Sequence, residues 1–216
     1  DDPRFNAYGM TKGTKGKGKD AKETVSNANY LWISYFATAL NEKGRAALVM
    51  ANSASDAGSN DLTIRQNMIK SGIIKQMVTL PSNMFTSVTL PATLWFFDKN
   101  KPESQKDKIL FIDARNIFTQ VDRAHRKFSD EQIKNLGIIT RLYDGDTKAF
   151  ENLLDEYKEK ATGENKEYYE SQINWLLERF PEHKYQDVIG LCKVAEIGEV
   201  LDEDGNVKKI VEDSIA

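Results

Sequence analysis

Ile73-Ile-Lys-Gln-Met-Val-Thr-Leu80, then Pro81-Ser-Asn-Met-Phe85-Thr-Ser-Val-Thr-Leu-Pro91, then Ala92-Thr-Leu-Trp-Phe-Phe97 is the stretch that decides the fold. The first and last runs are short, rich in branched or aromatic side chains and bounded by Gly72, Pro81, Pro91 and Asp98, which is the signature of strands. About ten residues separate them, and these show no helical period. A right-handed crossover between parallel strands needs more chain than that, so the two runs are expected to pair antiparallel.

Upstream, Leu31, Trp32, Tyr35, Phe36, Ala39 and Leu40 recur at helical spacing from Asn29, and Gly44 stands where such a helix would stop. Arg45 to Ala51 is a continuous apolar run of the kind a buried central strand needs, followed by a polar stretch from Asn52 to Asn60. Asp61 to Ser71 reads as a second helix, with Leu62, Ile64, Met68 and Ile69 inward and Gly72 as a left-handed stop. Downstream, Ile109 to Asp113 is another strand. Helix, strand, helix and three strands make the second half of an open α/β sheet, a class in which ligands sit beyond the carboxyl ends of the strands.

The ends of the chain differ in character from this centre. Residues 9 to 22 interleave glycines with Lys12, Lys15, Lys17, Lys19 and Lys22 and offer nothing to bury, so a mobile loop is expected over 1–28. Ser129 with Gln132 three residues later starts a capped helix continued by Ile133, Leu136, Ile139 and Leu142. Thr147 to Ala161 and Lys166 to Phe180 follow as an αα-hairpin stopped before Pro181, and Asp202 to Asn206 reads as a turn. The expected organisation is a loop over 1–28, an α/β half-domain over 29–128 and a helical, acidic segment over 129–216.

Charge follows the same division. Residues 1 to 143 carry 21 Lys and Arg against 14 Asp and Glu, whereas residues 144 to 216 carry 9 against 19. The front suits a polyanion, and the tail suits solvent or a basic partner. One cysteine, Cys192, and two histidines, His125 and His183, leave no cluster for a soft metal and no internal disulfide. There is no apolar run of about 20 residues and no signal-peptide pattern, so a cytoplasmic location without membrane partners is expected. Phosphate-loop, dinucleotide, nucleophile-elbow and zinc-deaminase signatures are all missing, and the sheet is entered halfway.

Four ordered motifs carry a resemblance. Asn27-Ala-Asn29-Tyr30-Leu-Trp32, Gly44 to Asn52, Leu80 to Phe97 and Ile109 to Arg115 resemble, in order and spacing, the modification subunit of type I restriction-modification systems, over roughly residues 1 to 137. A weaker echo lies at Gly190 to Ala195, and the helices at 147–180 are not part of the family pattern. The resemblance implies the second half of a Rossmann-like, S-adenosylmethionine-dependent methyltransferase sheet with an appended helical segment, acting on the N6 amine of adenine in DNA. In that family the donor is held by a Gly-rich loop and the amine by an Asn-Pro-Pro-Phe tetrapeptide. Asp2-Pro-Arg-Phe5 departs from the tetrapeptide at its third position and is closer to the segment just downstream of it.

By the same resemblance, no catalytic, donor-binding or metal residue is expected in this chain, and the donor is bound mainly by an N-terminal half. Phe85 corresponds to the family position proposed to stack on a flipped adenine. Asn29, Tyr30 and Asn52 are expected to line the same cleft, and the five lysines to meet DNA phosphates without reading sequence. Implied partners are DNA and the specificity and restriction subunits, with the chain inactive alone. Two other readings stand beside this one: a protein-interaction module in which the acidic helices dock on a specificity or endonuclease subunit, and a different nucleotide-using Rossmann-like enzyme.

Overall fold

The run Ile73 to Leu80 becomes the central strand of the sheet, Ile74–Thr79, because nearly every side chain along it is apolar or long enough to be covered on both faces. The structure is a computed structural model that describes residues 2–25, 28–52, 54 and 60–201. In chain order it contains β1 (Gly13–Lys15), β2 (Lys22–Thr24), α1 (Ala28–Thr38), β3 (Arg45–Ala51), α2 (Asn60–Lys70), β4 (Ile74–Thr79), β5 (Ala92–Asp98) and β6 (Lys108–Asp113). Then come β7 (Thr119–Gln120), β8 (Arg126–Lys127), α3 (Asp130–Tyr143), α4 (Thr147–Lys160), α5 (Lys166–Arg179), β9 (Cys192–Glu196) and α6 (Ile197–Val200).

Five strands form one mixed sheet in the order β3-β5-β4-β6-β9. The ten-residue link does make an antiparallel pair, with Thr79 opposite Thr93 and Ile74 opposite Phe97. Of the neighbouring pairs in this sheet only β4 and β6 are parallel, Thr79 lying beside Asp113. The carboxyl ends of β3, β4 and β6 and the start of β5 therefore share one edge of the sheet.

Two apolar clusters lie on the sheet. One gathers Tyr30 and Ile33 of α1, Ile64 and Met68 of α2, and Trp95 and Phe97 of β5. The other joins Val78, Leu110 and Ile112 to Ile139 of α3, Phe150, Leu154 and Tyr157 of α4, and Leu176 of α5. Burying one such large apolar side chain stabilises by roughly 1.5–3 kcal/mol, so each cluster fixes its helices firmly on the strands.

Several boundaries follow the sequence. Gly72 has φ +69° and stops α2, and Ser129 with Gln132 forms both halves of a capping box at α3. Other expectations do not hold. The 9–22 region, read as a loop, contains the small antiparallel hairpin β1–β2, whose side chains are indeed almost all exposed. In α1 the buried face is Tyr30, Ile33, Ser34 and Ala37, while Trp32 is 56% and Phe36 39% exposed. The period alone could not choose between two adjacent apolar stripes.

The run Arg45 to Ala51 is one of the two edge strands of the sheet among the described residues, with Val49 51% exposed, and not a buried central one. Cys192–Glu196 is a strand that the sequence reading did not contain, and it pairs antiparallel with β6. Because β9 joins the sheet and α3 to α5 share its core, the change of composition near residue 128 is not a break in packing. The expected turn at Asp202 to Asn206 lies outside the described residues. Among the described residues no helix is long and apolar enough to cross a membrane.

Candidate nucleic-acid interface

The shared strand edge carries two of the predicted site residues, Asn52 and Phe85. At the end of β3, Asn52 donates its backbone N–H to Pro91 O (3.3 Å), and its Oδ1 accepts from Thr93 Oγ1 (2.7 Å). This bond crosses from the end of one strand to the start of the next and holds the mouth of the 80–91 loop. Within that loop Asn83 adopts φ +61°, a left-handed conformation that asparagine tolerates better than most residues. The tight turn brings Phe85 and Val88 into an antiparallel bridge, with Val88 N–H donating to Phe85 O at 3.3 Å. Phe85 is 41% exposed, Val88 47% and Leu90 66%, an apolar tip facing solvent at the ligand-binding end of the sheet.

Tyr30 is placed differently from its expected role. It is fully buried, edge-on to Trp95 at 6.5 Å between ring centroids, and its hydroxyl donates to Ala54 O and accepts from Arg65 Nη1 (3.1 Å). A side chain so enclosed ties the start of α1 to the segment after β3 and cannot touch a base. Asn29, in the first turn of α1, is half-buried at the same end. The lysines Lys15, Lys17, Lys19 and Lys22 are exposed on the β1–β2 hairpin, whereas Lys12 pairs with Glu23 (2.8 Å) and lies over the Phe5 ring.

Sequence reasoning missed the element that flanks Phe85. The β7–β8 hairpin is bound to the loop by Arg126, whose backbone N–H donates to Asn83 O (2.9 Å) and whose Nη1 donates to Ser82 Oγ (3.0 Å). Its guanidinium also stacks on Phe118, 3.9 Å from the ring centroid. The available signal was the basic run Arg123-Ala-His-Arg-Lys127 close after a strand. Beside it, Asp113 at the end of β6 chelates Arg115 through two oxygens, so that carboxylate is already neutralised.

A groove of about 770 Å³ lies elsewhere, on the sheet face between β3 and α3, floored by Leu94 and Phe96 and rimmed by Lys75, Arg141 and Asp144. Phe85 is not among its lining residues, although Leu80 at the start of the Phe85 loop is. The αα-hairpin buries Phe150, Leu153, Leu154, Tyr157 and Leu176 against the rest of the chain, which leaves charged residues outward and no broad apolar stripe for docking.

No Gly-rich turn of the kind that holds a nucleoside-bearing methyl donor is present among the described residues. Such a turn lies between a strand and a helix, where the backbone can approach the ligand. Of the described glycines, none stands in a turn leading from the carboxyl end of a sheet strand into a helix. Among the described residues no group of His, Cys, Asp or Glu is placed to hold a metal ion.

The described residues thus build a mixed α/β sheet with an exposed aromatic tip at one strand edge and basic elements beside it. The N-6 DNA methylase family model matches residues 2–148, and the chain belongs to that family. It is 35% identical over 144 residues to the type I restriction enzyme MjaIX methylase subunit of Methanocaldococcus jannaschii, covering 67% of this chain and 24% of that protein. It is 37% identical over 137 residues to the HindI methylase subunit of Haemophilus influenzae, covering 63% and 28%. Its fold matches the type I restriction-modification methyltransferase subunit of Streptococcus thermophilus with a TM-score of 0.60 at 20% identity, over 95% of this chain and 32% of that one. The chain thus spans about a quarter to a third of the length of these relatives.

Proposed function

We propose that this chain is the target-base side of a DNA adenine-N6 methyltransferase, the modification subunit of a type I restriction-modification system. The single observation that carries the reading is Phe85, held partly exposed on a tight turn at the ligand edge of a sheet whose family is defined by N6 methylation of DNA. Adenine N6 is inaccessible inside a duplex, so the base must be extruded and read in a pocket by stacking and hydrogen bonds. Phe85 supplies the stacking face, and Asn52, oriented by Thr93, supplies a polar group beside it.

S-adenosylmethionine supplies the methyl group and is held by a part of the protein outside this chain. In this reading β3 pairs along its free edge with a strand of that part. Its apolar run, out of place on an outermost strand, then gains the neighbours its composition calls for. The same part covers Trp32, Phe36 and Val49. The lysines of β1–β2 add salt-sensitive contacts to phosphates. DNA is the substrate, sequence choice belongs to a specificity subunit, a restriction subunit completes the assembly, and all act in the cytoplasm.

The test is transfer of labelled methyl from S-adenosylmethionine to unmethylated DNA. The full-length protein assembled with its specificity subunit is active, the 216-residue chain alone is not, and Phe85→Ala in the assembly abolishes most of the activity. Activity of the isolated chain would overturn the placement of the donor, and inactivity of the assembly would overturn the reading as a whole.

A further inference from the structure

We infer that the Thr119–Lys127 hairpin is a phosphate-binding arm for DNA, with Arg123 and Lys127 as its contacting cations. The inference deepens the function proposed above and rests on it. Its basis is a division of labour among the charges of the hairpin. Arg126 is committed inward: its guanidinium stacks on Phe118 and bonds Ser82 Oγ and Gln120 Oε1, and its backbone N–H bonds Asn83 O. The arm is thereby fixed to the loop two residues from Phe85.

The carboxylate of the arm, Asp122, is exposed but engaged within the turn itself. One of its oxygens accepts from Ala124 N (2.8 Å) and His125 N (3.0 Å), and the His125 ring lies against both. Those bonds, the Ala124 N–H first, hold its pKa below the usual carboxylate range, so it serves as the clasp of the turn. Arg123 and Lys127, by contrast, are exposed and enter no ion pair among the described residues. The acids that follow, Asp130 and Glu131, sit in the first turn of α3, where the helix N-terminus favours negative charge, and Glu131 accepts from the hydroxyls of Tyr168 and Tyr169.

This arrangement suits a nucleotide turned out of a duplex. The base needs an aromatic face, and its flanking phosphates stay outside the pocket, so the cations must stand beside the stacking ring. Arg123 and Lys127 are carried on an element hydrogen-bonded to the Phe85 loop, whereas the lysine-rich β1–β2 hairpin is a separate two-stranded unit.

The test is binding of the 216-residue chain to a fluorescent, unmethylated duplex of about 30 base pairs, across about 50 to 200 mM salt, followed by anisotropy. Each phosphate contact contributes about 0.9 to the slope of log affinity against log salt, so Arg123→Ala with Lys127→Ala lowers that slope by about 1.8. The thermal midpoint, read by circular dichroism, stays within about 2 °C because both side chains are exposed. A slope change below one, or no measurable binding by the unaltered chain at the lowest salt, overturns the inference. A lowered slope in a protein whose assembly fails to methylate DNA keeps the arm and removes the function proposed above. An unchanged slope with methylation intact removes the arm and keeps that function.

Discussion

Thr93 Oγ1 donates 2.7 Å to Oδ1 of Asn52, so the side-chain amide at the end of β3 is oriented by the second residue of β5. With its oxygen engaged, the amide presents Nδ2 as the group left to donate. Asn52→Asp removes that donor and sets a carboxylate at the edge proposed to meet DNA. Methyl transfer by the assembled protein is expected to fall at least about tenfold, the worth of one hydrogen bond to a substrate, about 1.4 kcal/mol. Thr93 is buried, and Thr93→Val costs about 1 kcal/mol in urea unfolding and raises KM without abolishing turnover.

Phe85 separates function from stability because it is 41% exposed. Phe85→Ala is expected to lose the stacking of one base, worth about 1–3 kcal/mol or roughly 5- to 150-fold in kcat/KM. Its unfolding free energy should change by no more than about 1 kcal/mol. Phe85→Trp should retain activity. Steady-state methylation and urea denaturation of the same preparations give the comparison.

Tyr30 should show the opposite pattern. Tyr30→Phe keeps the contact with Trp95 but removes the hydroxyl that serves Ala54 O and Arg65. Removing one partner from a buried hydrogen-bonded group costs about 1–3 kcal/mol. The unfolding midpoint of the isolated chain should fall accordingly, with no change in DNA binding at temperatures where both proteins are folded.

Gly137 lies inside α3, and a Cβ built there meets nothing within 4 Å. Alanine at a helix-interior glycine stabilises by about 0.5–1 kcal/mol when space and dihedral angles permit. Gly137→Ala should raise the melting temperature of the chain by about 1–4 °C.

Lys101 gives a pH dependence. Its ammonium is buried and donates to Ile74 O (3.2 Å) and Lys108 O (3.0 Å), and burial lowers its pKa from 10.5 to about 8, against the pull of Asp107 and Asp98. A folded-state value below the unfolded one means stability present above pH 10.5 and lost as pH falls toward 8. The slope is at most about 1.4 kcal/mol per pH unit. Cys192, raised by burial to about 11, and Tyr143, raised to about 12, act in the opposite sense, losing stability as pH rises through those values. The difference in unfolding free energy between the unaltered chain and Lys101→Met isolates the lysine, and it should rise in favour of the unaltered chain between pH 8 and 10.5.

The strands around Leu80 to Pro91, their antiparallel pairing, the capped start of α3 and the stop at Gly72 were legible in the sequence. Each is set by local chemistry: a link too short to cross over, a Ser-to-Gln capping box, a glycine at positive φ. The family and the position of Phe85 were legible in ordered motifs. Which stripe of α1 faces inward was decided by tertiary packing, because two apolar stripes compete there and only contact with Trp95 and the α2 side chains selects Tyr30, Ile33 and Ala37. Tertiary structure also decided the edge place of β3, the joining of β9 to β6, and the fastening of the 119–127 hairpin to the Phe85 loop. Those arrangements rest on hydrogen bonds between segments some 40 to 90 residues apart, Arg126 to Ser82 and β9 to β6 among them, and no local period encodes such a partner.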